Sequence, residues 1–170
     1  EKTTALSGPL GVVQPLLHPN GNWIYFTRGS SPDSVIKGDM SSGIFQPGAQ
    51  SNYNSEFSIC AGIYFGANGK RLLTGCGTSF RTTAGDDDLK YAGSLSATPY
   101  LNAAADSAVF RRLSVIPRSL PNTPNADSEI HFYDNEYFRL LGRITLPTQT
   151  GGLPWHGRNL FYNADSSSTP

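Results

Sequence analysis

EFSICAGIYFGANGKRLLTGCGTSFR, residues 56–81, is the stretch that decides the fold, because two apolar runs flank a short polar turn. Asn68 and Gly69 favour the positive φ angles that close two antiparallel strands. Ile63-Tyr64-Phe65 before the turn and Leu72-Leu73 after it supply side chains for a buried face. The pattern predicts a β-hairpin with its turn at 67–69.

The same turn pattern recurs along the chain: a small or cyclic residue, then Asn or Asp, then Gly or Ser. The other three sites are Pro19-Asn20-Gly21, Ala105-Asp106-Ser107 and Ala164-Asp165-Ser166. They repeat about every 45 residues, a period typical of β-propeller blades, each an antiparallel four-stranded meander. The sequence therefore predicts an all-β partial propeller, with a β-sandwich as the alternative.

The turns and apolar runs divide the chain into units. A leading strand or loop at 1–11 is followed by blade 1 at 12–50, blade 2 at 56–98, blade 3 at 99–150, and the first strand of a further blade at 151–170. Blade 1 has predicted strands at Ser34–Met40 and Ile44–Gln46, and blade 2 at Ser58–Gly66, Arg71–Phe80 and Asp88–Ala92. Residues 98–113 fit either a strand or a helix that begins at Thr98.

Composition excludes several classes of protein. The chain is 38% hydrophobic and 15% charged, with 13 basic and 13 acidic residues, so it is neither disordered nor an electrostatic match for nucleic acid. No apolar run is long enough for membrane insertion, and Glu1-Lys2-Thr3-Thr4 does not begin a signal peptide. We expect a soluble globular piece.

Three segments carry a family resemblance: A-N-G-K-R-L-L-T at 67–74, S-E-I-H-F-Y-D at 128–134 and L-G-R-I-T-L-P at 141–147. They resemble blades of the YVTN/lactonase-like class of bacterial seven-bladed β-propellers. The resemblance implies the fold, and the family includes surface proteins, binding scaffolds and a few enzymes. About three blades are covered, whereas a ring has about four to eight. The remaining blades are expected from the same polypeptide, a second copy or another chain.

Cys60 and Cys76 lie eight residues before and eight after Asn68. A three-residue turn would place them opposite each other, where a disulfide would close a loop of about fifteen residues and stabilise the fold by about 3 kcal/mol. The alternative is two small buried thiols. The sequence leaves both open.

Two groups of residues are candidates for a binding site. Trp155, His156 and Arg158 begin the strand predicted to line the propeller channel, and with Arg81 they form a candidate ligand-binding set. Their alternative role is hydrogen bonding to neighbouring blades. Asp86, Asp87 and Asp88 offer carboxylate oxygens to Ca²⁺, although the spacing is not that of an EF-hand, and a solvated acidic turn is the favoured explanation. No cofactor other than calcium is expected.

No catalytic motif is present, so no catalytic residue is assigned. The leading hypothesis is a non-catalytic binding or structural module of a larger extracellular or cell-envelope protein. Its partner would be a protein, a small molecule or a carbohydrate, held by loops between second and third strands at 30–33, 81–88 and 118–127. One alternative is a lactonase or hydrolase whose site at the channel mouth uses His156 and Arg158. The other is a self-assembling subunit that completes its ring between chains.

Overall fold

The structure is a computed structural model that describes residues 12–28, 34–53, 56–98 and 100–162. In this described part the regular structure consists of twelve strands and a 3-10 helix, Ala126–Ser128. It contains no helix that is long and apolar enough to cross a membrane. The strands are β1 Val12–Leu17, β2 Trp23–Arg28, β3 Ser34–Asp39, β4 Gln46–Gln50, β5 Ile63–Phe65, β6 Arg71–Thr74, β7 Thr78–Arg81, β8 Tyr91–Ser94, β9 Leu101–Ser107, β10 Arg112–Pro117, β11 Glu129–Asp134 and β12 Leu140–Thr145.

The strands form three separate four-stranded sheets, and each sheet follows chain order. All pairings between neighbouring strands are antiparallel. The predicted all-β fold of four-stranded meanders is therefore confirmed, and the two-sheet sandwich does not describe it. The helix considered for 98–113 is wrong, because β9 and β10 occupy that stretch and pair with each other.

The predicted hairpin at 67–69 is present. Phe65 pairs with Leu72, and Gly69 has a φ of 67° and donates its N–H to the Gly66 carbonyl at 2.9 Å. The single strand predicted for 71–80 is wrong, because a turn at 75–77 divides it into β6 and β7. Gly77, with a φ of 73°, allows this turn.

Three other local predictions need correction. Ala105-Asp106-Ser107 is not a turn but the end of β9, since the chain reverses at 108–111, where Arg111 has a φ of 48°. The strand predicted at 44–46 begins later, as β4, because a longer turn fills 40–45. The strand predicted at 88–92 begins at Tyr91 and is the fourth of its sheet, not the third. The predicted turn at 164–166 lies outside the described residues.

Two apolar cores lie between consecutive sheets. Tyr25 and Val35 of the first sheet pack with Leu72 and Phe80 of the second, and all four are at most 1% exposed. The second core joins the second and third sheets through buried side chains, Leu73, Leu101, Leu113, Val115 and Tyr133. Burying a side chain of this kind stabilises a fold by about 1.5–3 kcal/mol, so these cores hold the three sheets together.

The three sheets share a common orientation, which defines two ends. At one end, here named the turn end, the first and second strands of each sheet connect, and His18 Nε2 lies 2.7 Å from the Gly69 carbonyl oxygen. At the other, the link end, the second and third strands connect and the chain passes to the next sheet. There the Leu101 N–H donates to the Gly75 carbonyl at 2.8 Å.

The turn at 75–77 is a point of very close approach between segments. A Cβ atom on Gly75 would lie 1.8 Å from the Ala61 carbonyl oxygen, so only glycine fits. Cys60 and Cys76 meet beside it in disulfide contact, with Cα atoms 5.0 Å apart. Neither cysteine is in a strand, so the contact joins the segment before β5 to the turn after β6.

Replacing Gly75 with alanine should destabilise the protein by about 1–3 kcal/mol, because the added methyl group meets main-chain atoms that cannot move aside. Urea unfolding of Gly75→Ala measures the change. Gly85→Ala is the matched control, since nothing lies within 4 Å of the position of its Cβ. The control should change stability by less than about 1 kcal/mol. Equal unfolding midpoints for the two variants would contradict the close approach.

Candidate functional site

A polar groove lies at the link end of the third sheet and is here named the link-end groove. Its cavity volume is about 330 Å³, within the size range of small-molecule sites. It is built from the connection that enters β9, the loop after β10, the start of β11 and the second half of β12. Polar lining residues include Tyr100, Arg118, Asn122, Glu129, His131 and Arg143.

His131 is buried in the wall of the groove, and both of its ring nitrogens are engaged. Nδ1 lies 2.9 Å from Thr98 Oγ1, and Nε2 lies 2.8 Å from Glu129 Oε2. Thr98 Oγ1 also lies 2.6 Å from the Tyr133 hydroxyl, and burial raises the pKa of that phenol. The imidazole therefore fixes the wall and has no nitrogen left for a ligand.

Two arginines face the groove from different strands. Arg143 is the cross-strand partner of His131, and its guanidinium lies 3.6 Å from Glu129, beyond hydrogen-bond distance. Arg118 follows β10, and its main-chain N–H donates to the Tyr100 carbonyl at 2.9 Å. Both arginine side chains are exposed, so the groove presents positive charge beside an exposed aromatic ring.

A second histidine–carboxylate pair lies next to the groove. Asp127 is 8% exposed and its Oδ1 accepts hydrogen bonds from Ser119 Oγ at 2.5 Å and from His156 Nδ1 at 2.7 Å. Burial opposes ionisation of Asp127, but these two hydrogen bonds and the His156 charge together hold the pKa of the carboxyl below its usual value. The main-chain carbonyl oxygen of Asp127 also accepts a hydrogen bond from the Gly157 N–H, at 2.7 Å. Asp127 thereby anchors the segment 155–157.

The predicted ligand-binding set is not one site. Trp155, His156 and Arg158 are exposed at the link end, whereas Arg81 pairs with Arg71 at the turn end. Arg81 NH1 instead donates to Asp87 at 3.2 Å. Residues 155–162, predicted to begin a further blade, form no strand within the described part of the chain.

The predicted calcium ligands point to different partners. Asp87 binds the exposed cations Arg81 and Lys90, and Asp88 Oδ2 accepts a hydrogen bond from the buried Lys37 Nζ at 2.6 Å. Asp88 Oδ1 accepts from the Thr83 N–H. Among the described residues, no group of three or more His, Cys, Asp or Glu side chains is arranged to hold a metal ion. The predicted binding loop 81–88 lies at the turn end, opposite 118–127, and 30–33 is outside the described residues.

The predicted binding loop 118–127 supplies half of the residues that line the groove, and sequence reasoning missed the other half. Glu129 and His131 are two positions apart on β11, a spacing that puts both side chains on one face of a strand. That spacing was the available signal for this pair. Thr98 and Tyr100 reach the groove through contacts between segments distant in sequence, and no local pattern indicates them.

Comparison with known proteins supports the fold. The Cps50 (Swd1) β-propeller domain of Myceliophteria thermophila superposes with a TM-score of 0.57 at 10% identity, over 86% of this chain and 48% of that chain. The periplasmic gluconolactonase PpgL of Pseudomonas aeruginosa superposes with a TM-score of 0.53 at 15% identity, over 82% and 42%. No protein-family model and none of the curated proteins matches the sequence.

These similarities show the fold and nothing finer. The chain is a partial β-propeller whose three sheets resemble lactonase-type blades, as the sequence predicted. It spans somewhat less than half the length of each of these two propeller proteins.

Replacing Asp127 with asparagine should destabilise the protein by about 1–3 kcal/mol at neutral pH, because the buried carboxylate accepts two hydrogen bonds. The pKa of Asp127 is lower in the folded state, so this stabilisation is present above the unfolded pKa of about 4 and is lost as pH falls through the folded value. Urea unfolding is measured from pH 7 to pH 2. The difference in unfolding free energy between the wild type and Asp127→Asn should decrease below about pH 4. A difference in unfolding free energy that is the same at every pH would contradict an ionised Asp127 carboxylate in the folded protein.

Proposed function

We propose that the chain is a non-catalytic binding module of the β-propeller type and that the link-end groove is its binding surface. The observation that carries the proposal is the groove itself, a concave site of about 330 Å³ that combines an exposed tyrosine with two exposed arginines. Surfaces of this kind occur where rigid strands position variable loops.

The state of His131 supports binding rather than catalysis. A general base needs a ring nitrogen within reach of the substrate, and both nitrogens of this imidazole are already bonded inside the protein. The neighbouring Glu129 carboxylate is committed to the same imidazole. The polar groups that remain for a ligand are guanidinium, amide and phenol groups, which bind and orient rather than transfer protons at neutral pH.

The context of the module is part of the proposal. We place it in a larger extracellular or cell-envelope protein, supported by the disulfide contact between Cys60 and Cys76, which suits an oxidising compartment. The periplasmic gluconolactonase is a structural neighbour with a compatible location. The partner would be a protein or a carbohydrate.

Ring completion is also proposed, on the basis of the outer face of the third sheet. Ser114 and Ile116 of β10 face away from the second core and are covered by the segment 155–162. The hydroxyl oxygen of Tyr162 in this segment lies 2.5 Å from Ser114 Oγ. Ile144 remains half exposed beside them and Phe161 is 83% exposed. Such an apolar sheet face is what a further blade would cover, from the same polypeptide or another.

A second candidate function is hydrolysis, which the His156–Asp127 pair favours. Asp127 holds Nδ1 of His156 at 2.7 Å, and the imidazole side chain is 45% exposed. A carboxylate that orients an imidazole in this way leaves Nε2 as the basic nitrogen toward solvent. In this candidate His156 would activate water against a lactone.

One experiment separates the two functions. Glycan arrays and a randomised peptide display library are probed with the native protein and with Asn122→Trp, whose indole should fill the groove. We expect ligands that bind the wild type and not the variant, together with unchanged binding by His156→Gln.

Hydrolysis of gluconolactone is measured on the same proteins. The binding proposal predicts no turnover above the rate in buffer. Turnover that is lost in His156→Gln would establish the hydrolase candidate, and ligands that bind both wild type and Asn122→Trp would remove the groove as the binding surface.

A further inference from the structure

We infer that the link-end groove recognises a carboxylated sugar, a hexuronate unit, through Arg118 and Arg143 with its ring against Tyr100. This inference rests on the proposed binding function and adds the chemical class of the ligand. It follows from three features of the groove: its charge, its aromatic surface and the polar groups around them.

The two guanidinium groups form the anion-binding part. Neither Arg118 nor Arg143 donates a side-chain hydrogen bond to any described residue, and the nearest approach of Arg143 to a carboxylate is 3.6 Å. Arg71, Arg81 and Arg111, in contrast, donate side-chain hydrogen bonds to oxygen atoms at 3.0–3.2 Å. Arg143 forms an ion pair with Glu129 at 3.6 Å, but neither guanidinium group donates a side-chain hydrogen bond to a described residue, so both can still bind a planar carboxylate.

The charge balance favours an anion with a single charge. Glu129 lines the same groove, and its carboxylate lies 2.8 Å from Nε2 of His131. The two arginines exceed Glu129 by one positive charge, which one carboxylate neutralises.

Tyr100 supplies the surface for a sugar ring. Tyr100 is 39% exposed, and its carbonyl accepts the main-chain N–H of Arg118, which holds the two residues next to each other. Aliphatic C–H groups of a pyranose pack against an aromatic face, as other apolar groups do. Asn122 and Asn125 add amide donors and acceptors for hydroxyl groups.

A sugar fits the groove better than an extended acidic peptide. One common way to bind an extended peptide is to add it as a strand to a sheet edge. The edge strand nearest the groove, β12, has a glycine in its centre and a register irregularity near Leu140, at its end away from the groove, and both features oppose strand addition. The groove volume of about 330 Å³ also suits one compact ring.

The test uses sodium D-glucuronate and D-glucose, which differ at a single carboxylate, with glucose 6-phosphate as a third probe. Isothermal titration of the native protein should detect glucuronate and show at least about tenfold weaker binding of both other sugars. Arg118→Gln and Arg143→Gln should each weaken glucuronate binding by about tenfold. Tyr100→Leu should also weaken glucuronate binding, because it removes the aromatic ring without changing the charge of the groove.

Arg139→Gln is the matched control, because Arg139 is an exposed arginine in the turn between β11 and β12 that pairs with Asp134 outside the groove. It should leave binding unchanged, and urea unfolding shows whether each variant is folded. Equal binding of glucose and glucuronate, or no detectable binding of glucuronate at millimolar concentration, would overturn the inference. If array ligands without a carboxylate still depend on the groove, the proposed binding function stands and the ligand class assigned here is wrong.

Discussion

The structure depends on two consecutive side chains of β6 that point to opposite faces of the second sheet. Leu72 and Leu73 are consecutive, so their side chains leave opposite faces of the second sheet. Leu72 belongs to the core shared with the first sheet and Leu73 to the core shared with the third, and both are at most 5% exposed. A shift of one residue in the pairing of β6 would exchange the two faces. The hairpin turn at 67–69 fixes that pairing, and it therefore fixes both interfaces between sheets.

This constraint explains which parts of the fold were predictable. The hairpin and the meander are local, because Asn68-Gly69 and the apolar runs beside them determine the turn within a few residues. The turn at 75–77 was not predictable in this way. Only glycine fits at position 75 because the Ala61 carbonyl lies so close, and the Gly75 carbonyl accepts the Leu101 N–H. Ala61 and Leu101 both lie in other segments. Local sequence patterns do not indicate contacts between distant segments, so residues 71–80 were predicted as one continuous strand.

The site was less predictable than the fold for the same physical reason. His156 was identified from its position, but its partner Asp127 lies 29 residues earlier in a proline-rich loop. The contact between Thr98 and His131 spans 33 residues. These groups converge because the link end gathers the connections of consecutive sheets. Sequence alone indicates that such an end exists and not which side chains meet there.

The acidic run at 86–88 shows how packing assigns roles that composition leaves open. Lys37 lies in β3 between the first and second sheets, with its ammonium 4.0 Å from the Trp23 ring centre. An ammonium buried there requires a negative partner, and Asp88 supplies it at 2.6 Å. The Tyr25 hydroxyl also reaches Asp88, and burial together with this carboxylate raises the pKa of the phenol. Replacing either charged partner alone would leave an uncompensated charge between the sheets, which costs more than the pair contributes. Asp88 is therefore committed to joining two sheets, and the loop that carries it is held by the same ion pair.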